Sequence, residues 1–308
     1  PPMARPKPAD FFMDFTLGSM AGAIAKTLTA PLERVELIIQ TQDAHPRIMA
    51  MDVPRYRGSM DCFIRVAREQ GVCSFWRGNV ANVVRSIPTQ AFNFAFKDTF
   101  KYMFPIYNPK ADFWKFFTVQ MASGAIAGAA CLAIVYPLDF ARTRLASDVG
   151  GGRPDFNGLM DCLVKTARGP KGVFGLYSGF GASIVGIIPY RGVYFGLYDS
   201  LREKNPFKND LGFLGLASKF IVAEISTIVA GYTSFPFDTV RRRLQMQSEK
   251  PIEQHVYKGT LDCFRKVLKD EGFAAFFTGA WATILRTLSA ALVLVLYDQS
   301  KGMLGVCS

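Results

Sequence analysis

Histidine is almost missing from this 308-residue chain: only His45 and His255 are present, both in polar segments. That leaves little for a catalytic constellation. The one glycine-rich stretch, "DVGGGRPDFNG" (148–158), is not followed by the Gly-Lys-Ser/Thr of a phosphate loop, so nucleotide hydrolysis by that route is set aside. The six cysteines show no metal-ligand spacing, and three belong to one repeated phrase, so they read as reduced thiols without a disulfide framework or metal site. The opening "PPMARPKPADFF" has no apolar core and no small-residue cleavage site, and no secretory signal is expected. The chain is not read as an enzyme, and no cofactor is expected.

Half of the residues are hydrophobic, and they come in long blocks. Val119–Leu138 is 20 residues without a charge, and Gly172–Tyr190 is 19 more before Arg191. About 20 apolar residues in a helix cross a hydrocarbon core of about 30 Å. Shorter blocks are interrupted by single charges at Lys26, Arg85, Asp238 and Arg286. Six spanning helices are predicted at 11–42, 79–104, 113–146, 180–203, 212–246 and 280–303. The net charge of +11 suits an anionic lipid or anionic substrate. Nucleic-acid binding gains nothing from apolar spans and is not expected.

The phrase "YRGSMDCF" at Tyr56 returns as "FNGLMDCL" at Phe156 and "YKGTLDCF" at Tyr257. Three other landmarks keep the same step. "PLERVE" at Pro31 matches "PLDFAR" at Pro137 and "PFDTVR" at Pro236; glycines 78, 179 and 279 end matching phrases; "FKDTFK", "LYDSLR" and "LYDQSK" close the even helices. The chain therefore divides into three repeats, 1–108, 109–206 and 207–308, each reading helix, partly helical polar segment, helix. Alternation of long and short links places the three polar segments on one side of the membrane. Small residues at 18 and 22, 124 and 128, and 223 and 227 precede the prolines by thirteen and nine, spacing that lets helix backbones approach. Each proline removes a backbone hydrogen bond and is expected to bend its helix. The fold class is an all-α membrane protein: six transmembrane helices in a pseudo-threefold barrel with three short helices on the loop side.

Charges inside membrane helices cost about 2.5–3.5 kcal/mol on insertion scales and usually face a cavity or a partner. After the prolines stand Glu33 with Glu36, Asp139 with Arg142, and Asp238 with Arg241; at the far ends stand Asp98 with Lys101, Asp199 with Arg202, and Asp298 with Lys301. These two rings read as gates. A substrate is rarely threefold symmetric, so its ligands should break the repeat. Lys26 is matched by Leu132 and Gly231, and Gly186 stands where the other repeats have Arg85 and Arg286. Lys26, Arg85 and Arg286 are thus expected in one cavity. No acid lies within helical reach of Arg85 or Arg286 on the same face, which points to a polyanion such as phosphate. Tyr190, Tyr194 and Tyr198, four apart, form a stripe suited to stacking a base.

The three Pro-x-Asp/Glu-x-x phrases, the "WRG"-type glycines and the "YDxxK" ends resemble the mitochondrial carrier family over the whole chain. Within it, "FWRGNVANVVRSIPTQAFNFAFKD" and "YPLDFARTRLASDVG" are most similar to the ADP/ATP carriers. The resemblance implies electrogenic ADP/ATP exchange across the mitochondrial inner membrane by alternating access, with the long loops facing the matrix. Other implied substrates are ATP-Mg with phosphate or coenzyme A, and a regulated proton leak is the other activity such a barrel allows. It implies a nucleotide site of Lys26, Arg85, Asn93, Gly186, Ile187, Tyr190, Ser234, Arg242 and Arg286, with Tyr194 on the access path. It also implies a functional monomer, and cardiolipin bound at Arg77, Gly78 and Asn79 and at Asn157 and Gly158. The family's matrix gate would pair Glu33 with Arg142 and Asp139 with Arg241, with Gln40 and Gln245 as braces. Four positions depart from the family: Leu244 and Gln245 stand where ADP/ATP carriers have methionines, Pro189 stands within the usually smooth "GIIxY" stretch, and Glu36 stands where a base should meet Asp238. Two acids are then expected to face each other and weaken this gate, unless Arg34 or Arg242 swings in.

Overall fold

The computed structural model describes residues 8–103, 112–150, 154–207, 213–248 and 252–281, together with 283, 284 and 287. Nine α-helices carry the described chain: α1 (Pro8–Thr41), α2 (Pro46–Met49), α3 (Ser59–Gln70), α4 (Asn79–Met103), α5 (Phe113–Ala146), α6 (Leu159–Ala167), α7 (Phe180–Lys204), α8 (Phe213–Met246) and α9 (Thr260–Lys266). Five of these are long, and a further helix starts at Ala280–Trp281, with most of the predicted 280–303 span lying outside the described residues. The described residues contain no strand. Three stretches among them are long and apolar enough to cross a membrane: Ala122–Ala146, Gly172–Lys204 and Ala217–Met246. The helices run unbroken through Pro31, Pro137 and Pro236, as they do through Pro88 and Pro189.

Polar residues inside the long helices are satisfied locally. The hydroxyls of Thr89, Thr143, Ser226, Thr227 and Thr233 each donate to the carbonyl four residues earlier, at 2.7–3.1 Å. That bond lets a hydroxyl sit in an apolar environment without an unsatisfied donor. Ile126 and Ile134 on α5, Val185 and Ile188 on α7, and Ile221, Ile225 and Val229 on α8 remain exposed, as a lipid-facing surface requires.

The recurring phrase builds one device three times. Asp61, Asp161 and Asp262 accept from the backbone N–H of Arg57, Asn157 and Lys258 at 2.9–3.0 Å, closing the turn before each short helix. The same carboxylates meet Arg65, Lys165 and Lys266 four residues on. Cys62, Cys162 and Cys263, fully buried, turn inward with Tyr56, Phe156 and Tyr257. Each pair packs under its own long helix: α3 against Val35, Ile38 and Ile39 of α1, α6 against Phe140 and Ala141 of α5, and α9 against Val240 and Leu244 of α8.

The glycines ending the other phrase join successive repeats. Gly78, Gly179 and Gly279 have φ of +83°, +84° and +88°. An added Cβ on Gly78 would stand 3.2 Å from the Arg142 carbonyl, on Gly179 2.7 Å from that of Arg241, and on Gly279 3.5 Å from that of Glu36. Repeat 1 thus leans on repeat 2, repeat 2 on repeat 3, and repeat 3 back on repeat 1. At the loop side the described contacts close into a ring.

Candidate functional site

Inside that ring lies a cavity of about 390 Å³. α4 contributes Arg85 and Thr89, α5 Gly128, Cys131 and Val135, α7 Ser183, Gly186, Ile187 and Tyr190, and α8 Thr227, Ser234 and Arg242. The spacing of three and four along α7 and α8 brings one face of each helix to the wall. Gly186 is a point of close approach: a Cβ there would come 2.9 Å from the Cβ of Phe237 on α8.

Six of the ten expected substrate residues line this cavity: Arg85, Gly186, Ile187, Tyr190, Ser234 and Arg242. Lys26 does not, although its ammonium lies within Coulombic range of Arg85, Arg142 and Glu33. Tyr194 stacks on Tyr190 at 6.2 Å between centroids and Tyr198 stacks on Tyr194 at 5.8 Å, so the stripe continues away from the loop side. Asn93 lies on α4, its side chain outside the described residues, as is all of Arg286.

The floor of the cavity is the ring of charges that follows the prolines. Arg142 donates to Glu33, and Arg241 pairs with Asp139. One expectation is corrected here, and for another the stated exception, Arg242 swinging in, is what the structure shows. Arg85 has an acidic partner after all: its Nη1 lies 3.2 Å from Asp139 Oδ1. The acid comes from α5, which a search along α4 alone does not reach. And Glu36 is not left facing only another acid. Arg242, one residue beyond the family's gate position, places both terminal nitrogens 3.3 Å from Glu36 Oε1. Arg34 is engaged elsewhere, donating to Ser74 O, to Gln70 Oε1 at 2.6 Å and to Asp148 O at 2.9 Å. Asp238 lines the cavity beside Arg241 and Arg242.

The amide N–H groups of the two glutamines donate to groups outside the bridges. Gln40 donates to Thr239 Oγ1 at 3.3 Å. Gln245 donates to the Tyr136 hydroxyl at 3.2 Å, and the Arg241 guanidinium lies 5.3 Å from the centroid of that ring. Tyr136 is therefore what links Gln245 to the bridge. At the opposite end, Asp199 and Arg202 on α7 are exposed and make no ion pair among the described residues. Asp98 and Lys101 are helical with undescribed side chains, and Asp298 and Lys301 lie outside the described residues.

Sequence reasoning missed Arg191. Gly124 and Gly128 do not simply admit a helix backbone. A Cβ on them would stand 2.7 and 3.2 Å from the Arg191 guanidinium nitrogens, so the two glycines make room for that side chain. The signal was an arginine interrupting the apolar run of α7.

A second pocket, of about 450 Å³, opens between repeats 1 and 2, lined by Arg77, Gly78, Asn157 and Gly158 among others. Asn79 is not part of it and donates to Thr27 Oγ1 at 3.0 Å. The equivalent place between repeats 3 and 1 has a pocket of about 510 Å³ bounded by Arg57, Gly58, Gly279 and Ala280.

A family profile described as "Mitochondrial carrier protein" matches residues 7–108, 113–208 and 213–306. Among curated relatives, an ADP,ATP carrier protein of Parachlorella kessleri is 56% identical over 307 residues, covering 98% of this chain and 89% of the relative. ADP/ATP translocase 3 of Bos taurus is 51% identical over 294 residues, with 94% and 97% covered. ADP/ATP translocase 4 of Mus musculus is 49% identical over 302 residues, with 97% and 92% covered.

Proposed function

The chain belongs to the mitochondrial carrier family, and from that premise we propose that it exchanges ADP for ATP across the mitochondrial inner membrane by alternating access. The observation that carries the reading is one cavity lined by three guanidinium groups, Arg85, Arg241 and Arg242, and by Tyr190 at the base of a stacked tyrosine stripe. Guanidinium forks fit phosphate oxygens in parallel pairs, and an aromatic face accepts a purine. Gly186, Ile187 and Ser234 shape the pocket beside the ring, and Lys26, Asn93 and Arg286 complete the site.

The helix starting at Ala280 is the sixth span of a barrel whose three polar segments face the matrix. In the conformation described, the bridges of Glu33 with Arg142 and Asp139 with Arg241 hold the loop side shut. Exchange then alternates between this state and one in which the loop-side bridges part and Asp98, Lys101, Asp199, Arg202, Asp298 and Lys301 pair. Because the exchanged nucleotides differ in charge, each 100 mV of potential contributes about 2.3 kcal/mol per net charge moved. The pocket of Arg77, Gly78, Asn157 and Gly158 is read as a seat for a cardiolipin phosphate, with the backbone N–H groups at the start of α6 turned to the anion. The carrier acts as a monomer.

The test is exchange in liposomes loaded with ADP and offered ATP, ADP, AMP, ATP-Mg with phosphate or coenzyme A. Rapid one-for-one exchange of ADP and ATP, sensitive to membrane potential, is expected. Preference for any other compound overturns the assignment. Adding cardiolipin to delipidated protein is expected to raise its melting temperature.

A further inference from the structure

We propose that Glu36 is an internal competitor for the substrate's phosphate: its carboxylate occupies the Arg242 guanidinium when the cavity is empty, lowering nucleotide affinity in the loop-closed state. The inference rests on the nucleotide reading of the cavity and deepens it. Glu36 is 3% exposed, and it lines the same cavity as Arg242. Both terminal nitrogens of Arg242 share the single oxygen Oε1, each at 3.3 Å. That is a poor geometry for a guanidinium. A side-on fork makes two parallel bonds to two oxygens, usually at about 2.7–2.9 Å. A phosphate, with several oxygens free to approach from the open side, can offer what Glu36 does not.

Glu36 is a positioning residue here. It acts on nucleotide through Arg242 and touches no substrate atom.

The proposal is tested by equilibrium binding of ADP, AMP and adenosine to the purified full-length carrier and to Glu36→Gln, with melting curves for each. Glutamine keeps the shape and removes the charge. Glu36→Gln is expected to bind ADP more tightly, on the order of tenfold, the effect of removing one competing charge-assisted bond. The gain should be smaller for AMP and absent for adenosine. In an Arg242→Gln background the same change should give no gain. Equal or weaker ADP binding by folded Glu36→Gln, or an equal gain for adenosine, overturns the proposal. If Glu36→Gln does not fold, Glu36→Asp decides. Its carboxylate is drawn back by one methylene and should give a smaller gain of the same sign, whereas unchanged or weaker binding again overturns the idea. Wild-type protein that binds no nucleotide at all would instead refute the substrate reading on which the inference rests.

Discussion

Arg85 sits between two duties, lining the cavity while touching Asp139, which Arg241 also holds. Because Asp139 keeps Arg241, Arg85→Ala should leave the fold intact. It should slow exchange by about 10- to 150-fold, the cost of one charge-assisted bond in the loaded state. Rates in liposomes, read beside a melting curve, check both halves. Gly179 is a sharper structural case. A methyl there would meet the Arg241 carbonyl at 2.7 Å, on a backbone with φ of +84°. Gly179→Ala should cost about 2–4 kcal/mol, overpacking added to left-handed strain. Gly272 has φ +85° and ψ 174°, a region nearly closed to residues with a Cβ, and nothing within 4 Å, so Gly272→Ala should cost about 1–3 kcal/mol by backbone strain alone. Melting temperatures in detergent check both values. At this scale the sequence revealed which residues break the threefold pattern, because position arithmetic needs no coordinates. It did not reveal their partners. Asp139 reaches Arg85 from another helix, and Arg242 reaches Glu36 from a different repeat, and side-chain reach across a bundle is not encoded in spacing along one element.

The short helices were the most legible elements. The phrase around Cys62, Cys162 and Cys263 marked α3, α6 and α9, and the thiols mark which face turns inward. The long helices begin and end close to the predicted spans, since the loss of apolar periodicity and the glycines 78, 179 and 279 punctuate them. What periodicity did not convey was the purpose of Gly124 and Gly128, which serve the Arg191 side chain. The buried faces make a chemical prediction. Burial pushes the Cys62 and Cys263 thiols up to about 12, while Cys73, just after α3, is exposed. At pH 8 a thiol of pKa near 12 is only about one part in ten thousand thiolate, the reactive form. With Cys307 replaced by serine, maleimide at pH 8 should therefore label Cys73 in the folded carrier, and Cys62, Cys162 and Cys263 only after denaturation. Peptide mapping by mass spectrometry reads the outcome. Prompt labelling of Cys62 or Cys263 in folded protein would mean that α3 or α9 does not pack as described.

Among the described residues, the loop side is a ring of three repeats whose closure depends on contacts between them. Gly78, Gly179 and Gly279 fit against the neighbouring repeat, and Arg144 ties repeat 2 to repeat 3 by donating to Met246 O at 2.9 Å. The ring is chemically uneven, because Asp139 holds both Arg241 and Arg85, whereas Glu33 meets Arg142. Loss of the Asp139 charge should therefore loosen the loop side more than loss of the Glu33 charge. Asp139→Asn removes two ionic contacts at a buried site and leaves two arginines to repel each other. Partly buried pairs of this kind differ by about 1–3 kcal/mol from their broken state, which corresponds to about a 5- to 150-fold change in the ratio of two conformations. Thr89→Cys supplies the reporter, on a half-buried position of the cavity wall. In a background lacking Cys73, Cys131 and Cys307, a membrane-impermeant maleimide should reach that thiol in the parent protein only from the side away from the loops. Asp139→Asn should admit the reagent from the loop side, at a rate raised in proportion to the new population of the loop-open state. Glu33→Gln, which breaks a single pair, should give a smaller increase. Equal labelling of both variants would show that the ring opens as one unit whichever bridge is cut. No loop-side labelling in either would mean that these bridges do not hold the loop side closed.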